Sequence, residues 1–118
     1  MQLEQKNVLL GVSGGIAAYK TPDLVRKLTA QGANVRVVLT ASAEHFVSPL
    51  SLQAVSGNKV SSQLLDEEAE AGMGHIELAR WADIFIIAPA TANIIAKLTY
   101  GLADDLLTTL ALDRKSVV

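Results

Sequence analysis

The stretch that decides the fold is Val8-Leu-Leu-Gly-Val-Ser-Gly-Gly-Ile16, an aliphatic run that ends in a glycine-rich turn. Two further aliphatic runs follow, at residues 34–39 and 83–88. All three are short, rich in β-branched side chains and without regular polar alternation, which is typical of strands buried on both faces of a parallel sheet. We predict such a sheet from residues 8–12, 34–39 and 83–88, with the first strand between the other two.

Helical spacing follows the first strand, at residues 15–31. Four aliphatic side chains share one face of this segment: Ile16, Leu24, Val25 and Leu28. Gly32 is placed to end the helix. Pro22 interrupts the pattern, so we expect a kink or a restart with Thr21 as the N-cap.

A second helix is predicted to start at Ser48-Pro49, to run to about Val55 and to close at Gly57. Three more are predicted at residues 74–81, 91–99 and 104–112, with a break at Gly101. This alternation predicts an α/β fold, a doubly wound parallel sheet with right-handed crossovers.

The composition bounds the function classes. With 118 residues, half of them hydrophobic, the chain fits one domain with a packed core, and a disordered chain is excluded. A formal net charge of −2 argues against a dedicated nucleic-acid binder, which would carry a basic excess. The absence of cysteine excludes a disulfide framework, a thiolate metal site and thiol catalysis by this chain.

The ends of the chain give two expectations. We find no signal peptide and no apolar span approaching ~18 residues, so we expect no membrane association and a cytoplasmic location. Residues 114–118 look like a turn followed by the first residues of another buried strand. We therefore expect a fragment of a longer protein, with the C-terminal strands of the sheet missing.

The glycine-rich turn after the first strand favours a phosphate ligand. Glycines let the backbone approach a ligand closely, and a helix N-terminus presents free N–H groups. The turn is not the dinucleotide fingerprint G-x-G-x-x-G, because Ser13 and Ile16 depart from it, and it lacks the Gly-Lys-Ser/Thr ending of a P-loop. The alternative is a tight strand-to-helix turn without a ligand.

The end of the second strand separates nucleotide types. NAD-binding domains usually carry an acid there for the ribose diol, whereas this chain has Thr40 and Ser42 and no acid before Glu44. Hydroxyl groups suit a phosphate, which favours a mononucleotide or phosphate ester over NAD. The alternative is that Thr40 or Ser42 only caps the next helix.

The third strand leads into Ala88-Pro-Ala-Thr-Ala-Asn93. Ligands of open α/β sheets bind outside the carboxyl ends of the strands, at the topological switch point. We therefore expect the three loops to face one crevice that accepts a flat ligand, although Thr91 could equally be a helix N-cap.

Outside these loops, His75 is the candidate acid/base group, because histidine ordinarily titrates near neutrality. The alternative is an ordinary exposed histidine near a helix start, and we assign His45 a structural role. Asp104-Asp105 is predicted as an N-cap pair. The acidic residues 66–70 are predicted to be solvated surface.

Five motifs occur in order along the chain: Gly11-Val-Ser-Gly-Gly-Ile-Ala-Ala-Tyr-Lys20, Ser48-Pro-Leu-Ser-Leu-Gln53, Gly74-His-Ile-Glu-Leu78, Ala88-Pro-Ala-Thr-Ala-Asn93 and Gly101-Leu-Ala-Asp-Asp-Leu-Leu107. As a set they closely resemble the flavin-dependent cysteine decarboxylases. The resemblance covers residues 7–112 and is greatest to the N-terminal decarboxylase part of bacterial bifunctional enzymes that join phosphopantothenoylcysteine decarboxylase to phosphopantothenate–cysteine ligase. It implies a Rossmann-like flavoprotein domain at residues 1–118, without the ligase domain.

The resemblance also implies the cofactor, the substrate and the roles of residues. The cofactor would be FMN, and His75 would be the catalytic histidine. Residues that would surround FMN are Ser13, Gly14, Gly15, Thr40, Ser42, Ala90, Thr91 and Asn93. The substrate would be phosphopantothenoylcysteine, whose thiol side chain is oxidised to a thioaldehyde before CO2 leaves. Family members form homo-oligomers with the flavin at a subunit boundary.

Two features of the family are absent from this sequence. The Pro-Ala-Met-Asn motif that holds the substrate carboxylate would begin beyond Val118, and the catalytic cysteine is missing. Without that cysteine we expect the last protonation and reduction to fail. Three alternatives stay open: a flavin-binding or electron-transfer module without decarboxylation, a related flavin prenyltransferase, and a misfolding truncation product. The Gly74-His-Ile-Glu-Leu78 motif argues against the prenyltransferase.

Overall fold

A parallel sheet forms the centre of the computed structural model, which describes residues 3–61 and 75–112. Its strands are β1 (Asn7–Val12), β2 (Asn34–Leu39) and β3 (Ile84–Ile87), in the order β2-β1-β3. Val8 lies opposite Val35 on one side and Ile84 on the other, and both pairings are parallel. The predicted parallel sheet with the first strand in the middle is confirmed.

Beyond β2, one more residue joins the sheet. Ser61 lies beside Val38 in a parallel bridge, with its amide donating to Val37 O at 3.1 Å and its carbonyl accepting from Leu39 N at 2.9 Å. The chain thus crosses from β1 to β2 and on to Ser61 in one direction, and β3 pairs with the opposite side of β1. The carboxyl ends of β1 and β3 therefore form the topological switch point of the described sheet.

The α-helices of the described residues are α1 (Thr21–Ala30), α2 (Pro49–Ser56), α3 (His75–Trp81), α4 (Ala92–Tyr100) and α5 (Leu106–Leu112). Two short 3-10 helices, Ile16–Lys20 and Ser42–His45, follow β1 and β2 directly. Each of these α-helices lies within or close to a segment that the sequence pattern predicts as helical, whereas the 3-10 helix Ser42–His45 was not predicted.

The segment after β1 differs from its prediction as one helix. A 3-10 helix comes first, and Ile16 on it is 77% exposed, so its assignment to the buried face is wrong. The α-helical part restarts at Thr21, which is its first residue and not the N-cap, with Pro22 next to it. Proline is tolerated there because the first N–H groups of a helix have no intrahelical partner. Gly32 follows the helix with φ of +90°, as its predicted role requires.

Helix α2 is confirmed together with both of its caps. Ser48 is the N-cap, and its Oγ accepts a hydrogen bond from Leu50 N at 3.1 Å. Pro49 is the first helical residue, and Gly57 ends the helix in the left-handed conformation with φ of +73°. These local signals are sufficient to define the helix.

The two faces of the sheet are covered by different helices. Val8, Leu10 and Val12 pack against one core that includes Val25 of α1 and Leu52 of α2. Leu9 points to the other core, whose buried members include Leu78, Phe85, Ile94, Leu107 and Leu110. Residues of α3, α4 and α5 therefore cover the second face, and the loops at the carboxyl ends of the strands lie between two packed layers.

Residues 62–74 and 113–118 lie outside the described residues. Two predictions fall on them: the acidic surface at 66–70 and the further strand at 114–118. Within the described ranges, the helices are all too short or too polar to span a bilayer.

Candidate active site

Three loops meet at the carboxyl ends of the strands because the hydrogen-bond ladder holds them in place. Thr40 N donates to Val12 O at 3.0 Å, and Ala88 N donates to Gly11 O at 2.9 Å, each just past the end of its strand. A cavity of about 260 Å³ opens between these loops and α4. Its lining residues are Ser13, Gly14, Thr40, Ala41, Ser42, Thr91, Asn93, Ile94, Lys97 and Asp105. The predicted crevice at the switch point is therefore present in the structure.

The cavity brings together six of the predicted site residues: Ser13, Gly14, Thr40, Ser42, Thr91 and Asn93. Gly15 and Ala90 belong to the same loops but are not among its lining residues. A Cβ at Gly15 would lie 3.5 Å from Pro89 Cγ, which is an ordinary contact. Gly15 therefore adjoins the proline turn, next to the cavity wall.

Ser13 is almost completely buried, at 1% exposure. Its hydroxyl donates to the carbonyl oxygen of Pro89 and accepts a hydrogen bond from Thr91 N, with 3.1 Å between Thr91 N and Ser13 Oγ. The side chain therefore connects the loop after β1 to the loop after β3.

The loop after β2 has two hydroxyls with different roles. Thr40 Oγ1 accepts from Ala43 N at 3.2 Å, so Thr40 caps the short helix that follows, as the alternative interpretation had it. Ser42 is exposed and lies 3.3 Å from Thr40, hydroxyl to hydroxyl. Ser42 also faces Gly14 closely, because a Cβ at position 14 would lie 2.3 Å from Ser42 Oγ.

Backbone amides around Gly14 and Ser42 provide the hydrogen-bond donors of the site. Within residues 3–61 and 75–112, the N–H groups of Gly14, Ala41 and Ser42 make no hydrogen bond, and all three residues line the cavity. Backbone amides without a partner among the described residues suit an anion, and hydroxyls suit phosphate oxygens. This set of donors therefore suits a phosphate ester.

The loop after β3 leads directly into α4. Thr91 is the N-cap, and its Oγ1 accepts from Ile94 N at 3.2 Å. Asn93 lies two residues after Thr91 and is exposed at the cavity. The N-cap interpretation of Thr91 is correct, and the same residue also lines the site.

Sequence reasoning missed four lining residues of the cavity, Ala41, Ile94, Lys97 and Asp105, of which the last two carry charged side chains. Lys97 Nζ lies 3.1 Å from Asp104 Oδ1, and the Lys97 side chain is only 21% exposed. Lys97 is four residues after Asn93, a spacing that puts both side chains on one helix face, and this signal could have found it.

Asp105 and Asp104 do not form the predicted capping pair. Asp105 Oδ1 accepts from Thr108 N at 2.8 Å and from Thr108 Oγ1 at 2.7 Å, so Asp105 alone caps α5. Asp104 pairs instead with Lys97. The correction follows from the position of α4, whose lysine reaches the loop before α5.

A second cleft, of about 170 Å³, is apolar. Its lining residues are Ala17, Lys20, Thr21, Leu24, Ala88 and Pro89. Pro89 lines this cleft, and Thr91, two residues later, lines the polar cavity.

His75 is the first residue of α3. The other end of that helix lies at the amino edge of the sheet, where Asn7 Nδ2 donates to Trp81 O at 3.1 Å. At 1.5 Å per residue, the backbone of His75 is about 9 Å along the helix axis from Trp81. Trp81, and not His75, is therefore the end of α3 that lies at the amino edge of the sheet. His45 is exposed at the end of its 3-10 helix, away from the cavity.

A match to the Flavoprotein family spans residues 1–116, nearly the whole chain. The chain belongs to the Flavoprotein family. The cavity at the carboxyl ends of the strands therefore belongs to a domain of a family whose name refers to flavin. The described part of the chain holds no group of three or more potential metal-ligating side chains.

Two curated relatives are similar to this chain over nearly all of its length. The "Coenzyme A biosynthesis bifunctional protein CoaBC" of Escherichia coli (strain K12) is 61% identical over 112 residues, which are 95% of this chain and 28% of that protein. The chain thus spans little more than a quarter of the length of this curated relative. Its counterpart in Bacillus subtilis (strain 168) is 53% identical over 107 residues, 91% of this chain and 26% of that protein.

A solved structure of the "FMN-dependent Cysteine Decarboxylases SpaF" superposes with a TM-score of 0.84 at 36% identity, covering 94% of this chain and 64% of that one. The predicted resemblance to the flavin-dependent cysteine decarboxylases is confirmed, and so is the α/β fold class. The sequence motifs that carried the resemblance include those that form the cavity.

Proposed function

We propose that this chain is the FMN-binding decarboxylase domain of a bifunctional protein of coenzyme A biosynthesis. Its reaction is the decarboxylation of 4'-phospho-N-pantothenoylcysteine to 4'-phosphopantetheine. The observation that carries the proposal is that motif residues far apart in the sequence, including Ser13 and Gly14 after β1 and Thr91 and Asn93 after β3, line one cavity at the switch point. The support from relatives is the 61% identity to a bifunctional protein of coenzyme A biosynthesis.

The residues present fit FMN. The unpartnered amides of Gly14, Ala41 and Ser42 would hold its phosphate, with the Ser42 hydroxyl beside them. Thr91 and Asn93 would contact the part of the cofactor that lies over the loop after β3. FMN would supply the two-electron oxidation of the substrate thiol to a thioaldehyde, which can accept the electron pair left behind when CO2 departs.

The chain's own contribution is orientation and proton management. The loops hold the cofactor at the edge of the sheet, and His75 is the candidate for moving a proton at the substrate. Residues at 42–60, including the exposed Phe46 and Leu50, are the candidate surface for self-association into a homo-oligomer. The location we propose is the cytoplasm, because the curated relatives are named for coenzyme A biosynthesis.

The test is made on the full-length protein that contains this chain. The purified protein is expected to carry FMN, seen in its visible absorbance, and to release CO2 from phosphopantothenoylcysteine while forming 4'-phosphopantetheine, identified by mass spectrometry. Bound flavin without CO2 would instead indicate a flavin-binding module. A bound flavin that gains the mass of a prenyl group when a prenyl phosphate is supplied would indicate a prenyltransferase. Either result contradicts the proposal.

A further inference from the structure

We propose that Ser13 is a positioning residue whose buried hydroxyl holds the turn 89–91 in the shape that the flavin site requires. The inference rests on the proposed FMN site, but it assigns Ser13 a role different from direct contact with the cofactor. Ser13 would act on the ligand through the loop after β3 and would not itself bind the phosphate.

The hydrogen-bonding capacity of Ser13 is largely used within the protein. A serine hydroxyl has one donor and two acceptor positions. The donor is used by the carbonyl of Pro89, and one acceptor position is used by Thr91 N at 3.1 Å. At 1% exposure, the hydroxyl has no proton left to donate to a phosphate oxygen.

The turn 89–91 has few other connections to β1. The strand ladder ends at the bond from Ala88 N to Gly11 O, and Pro89 has no N–H to extend it. Thr91 uses its hydroxyl and its carbonyl within α4, for Ile94 N and Ile95 N. Among the described residues, the two bonds of Ser13 are therefore the hydrogen bonds that fasten this turn to the loop after β1.

The effect of removing the Ser13 hydroxyl on ligand affinity follows from the fraction of protein molecules that keep the turn 89–91 in its binding shape. Without the hydroxyl, Thr91 N and the Pro89 carbonyl lose their partners, and conformations in which water satisfies them become competitive. The observed dissociation constant rises by the inverse of the fraction that keeps the competent shape. A loss typical of one buried hydrogen bond corresponds to about a tenfold weaker affinity. Because the effect acts on the free protein, every ligand that needs the turn loses the same factor.

The experiment compares two ligands that differ only in the phosphate. Wild-type, Ser13→Ala and the control Thr29→Ala full-length proteins are stripped of flavin and titrated with FMN and with riboflavin. Thr29 lies on α1, where its hydroxyl donates to Arg26 O at 2.9 Å, outside the cavity and outside residues 42–60. We expect Ser13→Ala to weaken both ligands by the same factor, about tenfold, and Thr29→Ala to leave both unchanged. A loss confined to FMN would make Ser13 a phosphate ligand and overturn the proposal, as would unchanged binding of both.

A second measurement needs no flavin and separates this inference from the proposed function. Hydrogen–deuterium exchange of the segment 88–94 in the flavin-free protein is expected to be about tenfold faster in Ser13→Ala, and unchanged exchange would overturn the tether. Failure of the wild-type protein to bind FMN would contradict the proposed function but would not alter this exchange result.

A stability control excludes general loosening of the fold. Val25→Ala removes buried volume from α1, in the core on the face of the sheet opposite α4. At a temperature where all variants are folded, it is expected to keep wild-type exchange at 88–94. Equal acceleration in Val25→Ala would overturn the assignment. Where Ser13→Ala does not fold, Ser13→Cys replaces it, because a thiol is a weaker donor at a similar volume. The exchange rate at 88–94 and the affinities for FMN and riboflavin are then expected to change in the same directions as for Ser13→Ala. Wild-type values of these quantities would overturn the proposal.

Discussion

Replacing Gly14 by alanine is expected to force apart two loops of the site. A Cβ at Gly14 would lie 2.3 Å from Ser42 Oγ, 2.6 Å from Ser42 Cβ and 2.9 Å from the carbonyl carbon of Ser42. Rotation of the Ser42 side chain relieves the first contact only, so the backbone of one loop must move. Overpacking of this kind costs about 1–3 kcal/mol, less the ~0.4–1 kcal/mol by which alanine restricts the unfolded chain.

Gly15→Ala is the matched control, because its Cβ would meet its nearest neighbours at 3.5–3.7 Å. If about 1–2 kcal/mol of the Gly14→Ala strain acts on the loop arrangement that the ligand needs, the FMN affinity falls about 5–30-fold. The restriction of the unfolded chain affects folding stability and does not enter this binding equilibrium. The assay is flavin titration of both full-length variants, followed by the quenching of flavin fluorescence. In the Ser42→Gly background, Gly14→Ala should cost less FMN affinity than it does in the wild type, since Ser42→Gly removes two of the three contacts. Equal FMN affinity of Gly14→Ala and Gly15→Ala would refute the reasoning.

Three further outcomes are expected in the full-length protein. Gly15→Asp should lower FMN content while Gly15→Asn retains it, because the site at position 15 accommodates a Cβ and only the aspartate adds negative charge near the phosphate; equal content in the two variants, measured by absorbance, would remove the charge argument. His75→Asn should keep FMN and lose about 10²–10⁴-fold in turnover. Mixing His75→Asn with flavin-deficient Gly15→Asp should restore part of the CO2 release if His75 and the bound FMN come from different subunits. Full turnover by His75→Asn would exclude His75 as the acid/base group. Leu50→Glu, at a side chain that is 71% exposed, should weaken self-association measured by light scattering, with the exposed Leu102→Glu as the comparison; an unchanged mass would exclude this surface.

The sheet was predictable because its signals are local and mutually consistent. Three short aliphatic runs without alternation can be buried only if both faces of the sheet are covered, and the structure covers them with separate groups of helices. Helix α2 was predictable for a similar reason, since Ser48, Pro49 and Gly57 each occupy the position that their backbone chemistry favours.

The segment after β1 was less predictable, because a period of 3.6 residues was assumed from residue 15 onwards. The 3-10 helix Ile16–Lys20 advances with about three residues per turn, so the phase at Ile16 does not continue into α1. Ile16 consequently faces solvent while Val25 is buried. A sequence pattern alone does not distinguish two joined helices of different pitch from one continuous helix.

The site was predictable as far as it follows from the strand ends. Neighbouring parallel strands lie about 4.8 Å apart, so loops that follow three adjacent strands must meet within a distance of about 10 Å. The contribution of Lys97 was not predictable in this way, because it depends on how α4 leaves its loop. The tether through Ser13 could not be predicted either, because its two partners, Pro89 and Thr91, follow Ser13 by 76 and 78 positions in the sequence.

The glycines of the turn after β1 have different physical reasons to be there. A Cβ at Gly11 would lie 3.0 Å from Leu107 Cδ1 and 3.1 Å from Phe85 Cε1, so Gly11 serves the packing of α5 on the sheet. Gly14 permits the approach of the Ser42 loop, whereas Gly15 has room for a side chain. The phosphate-binding interpretation of the whole motif therefore depends on one glycine and the unpartnered amides around it. A motif match that counts glycines equally would not separate Gly11, which serves the packing of the core, from Gly14, which permits the approach of the Ser42 loop. It would also miss the tie that Ser13 makes between two of the loops.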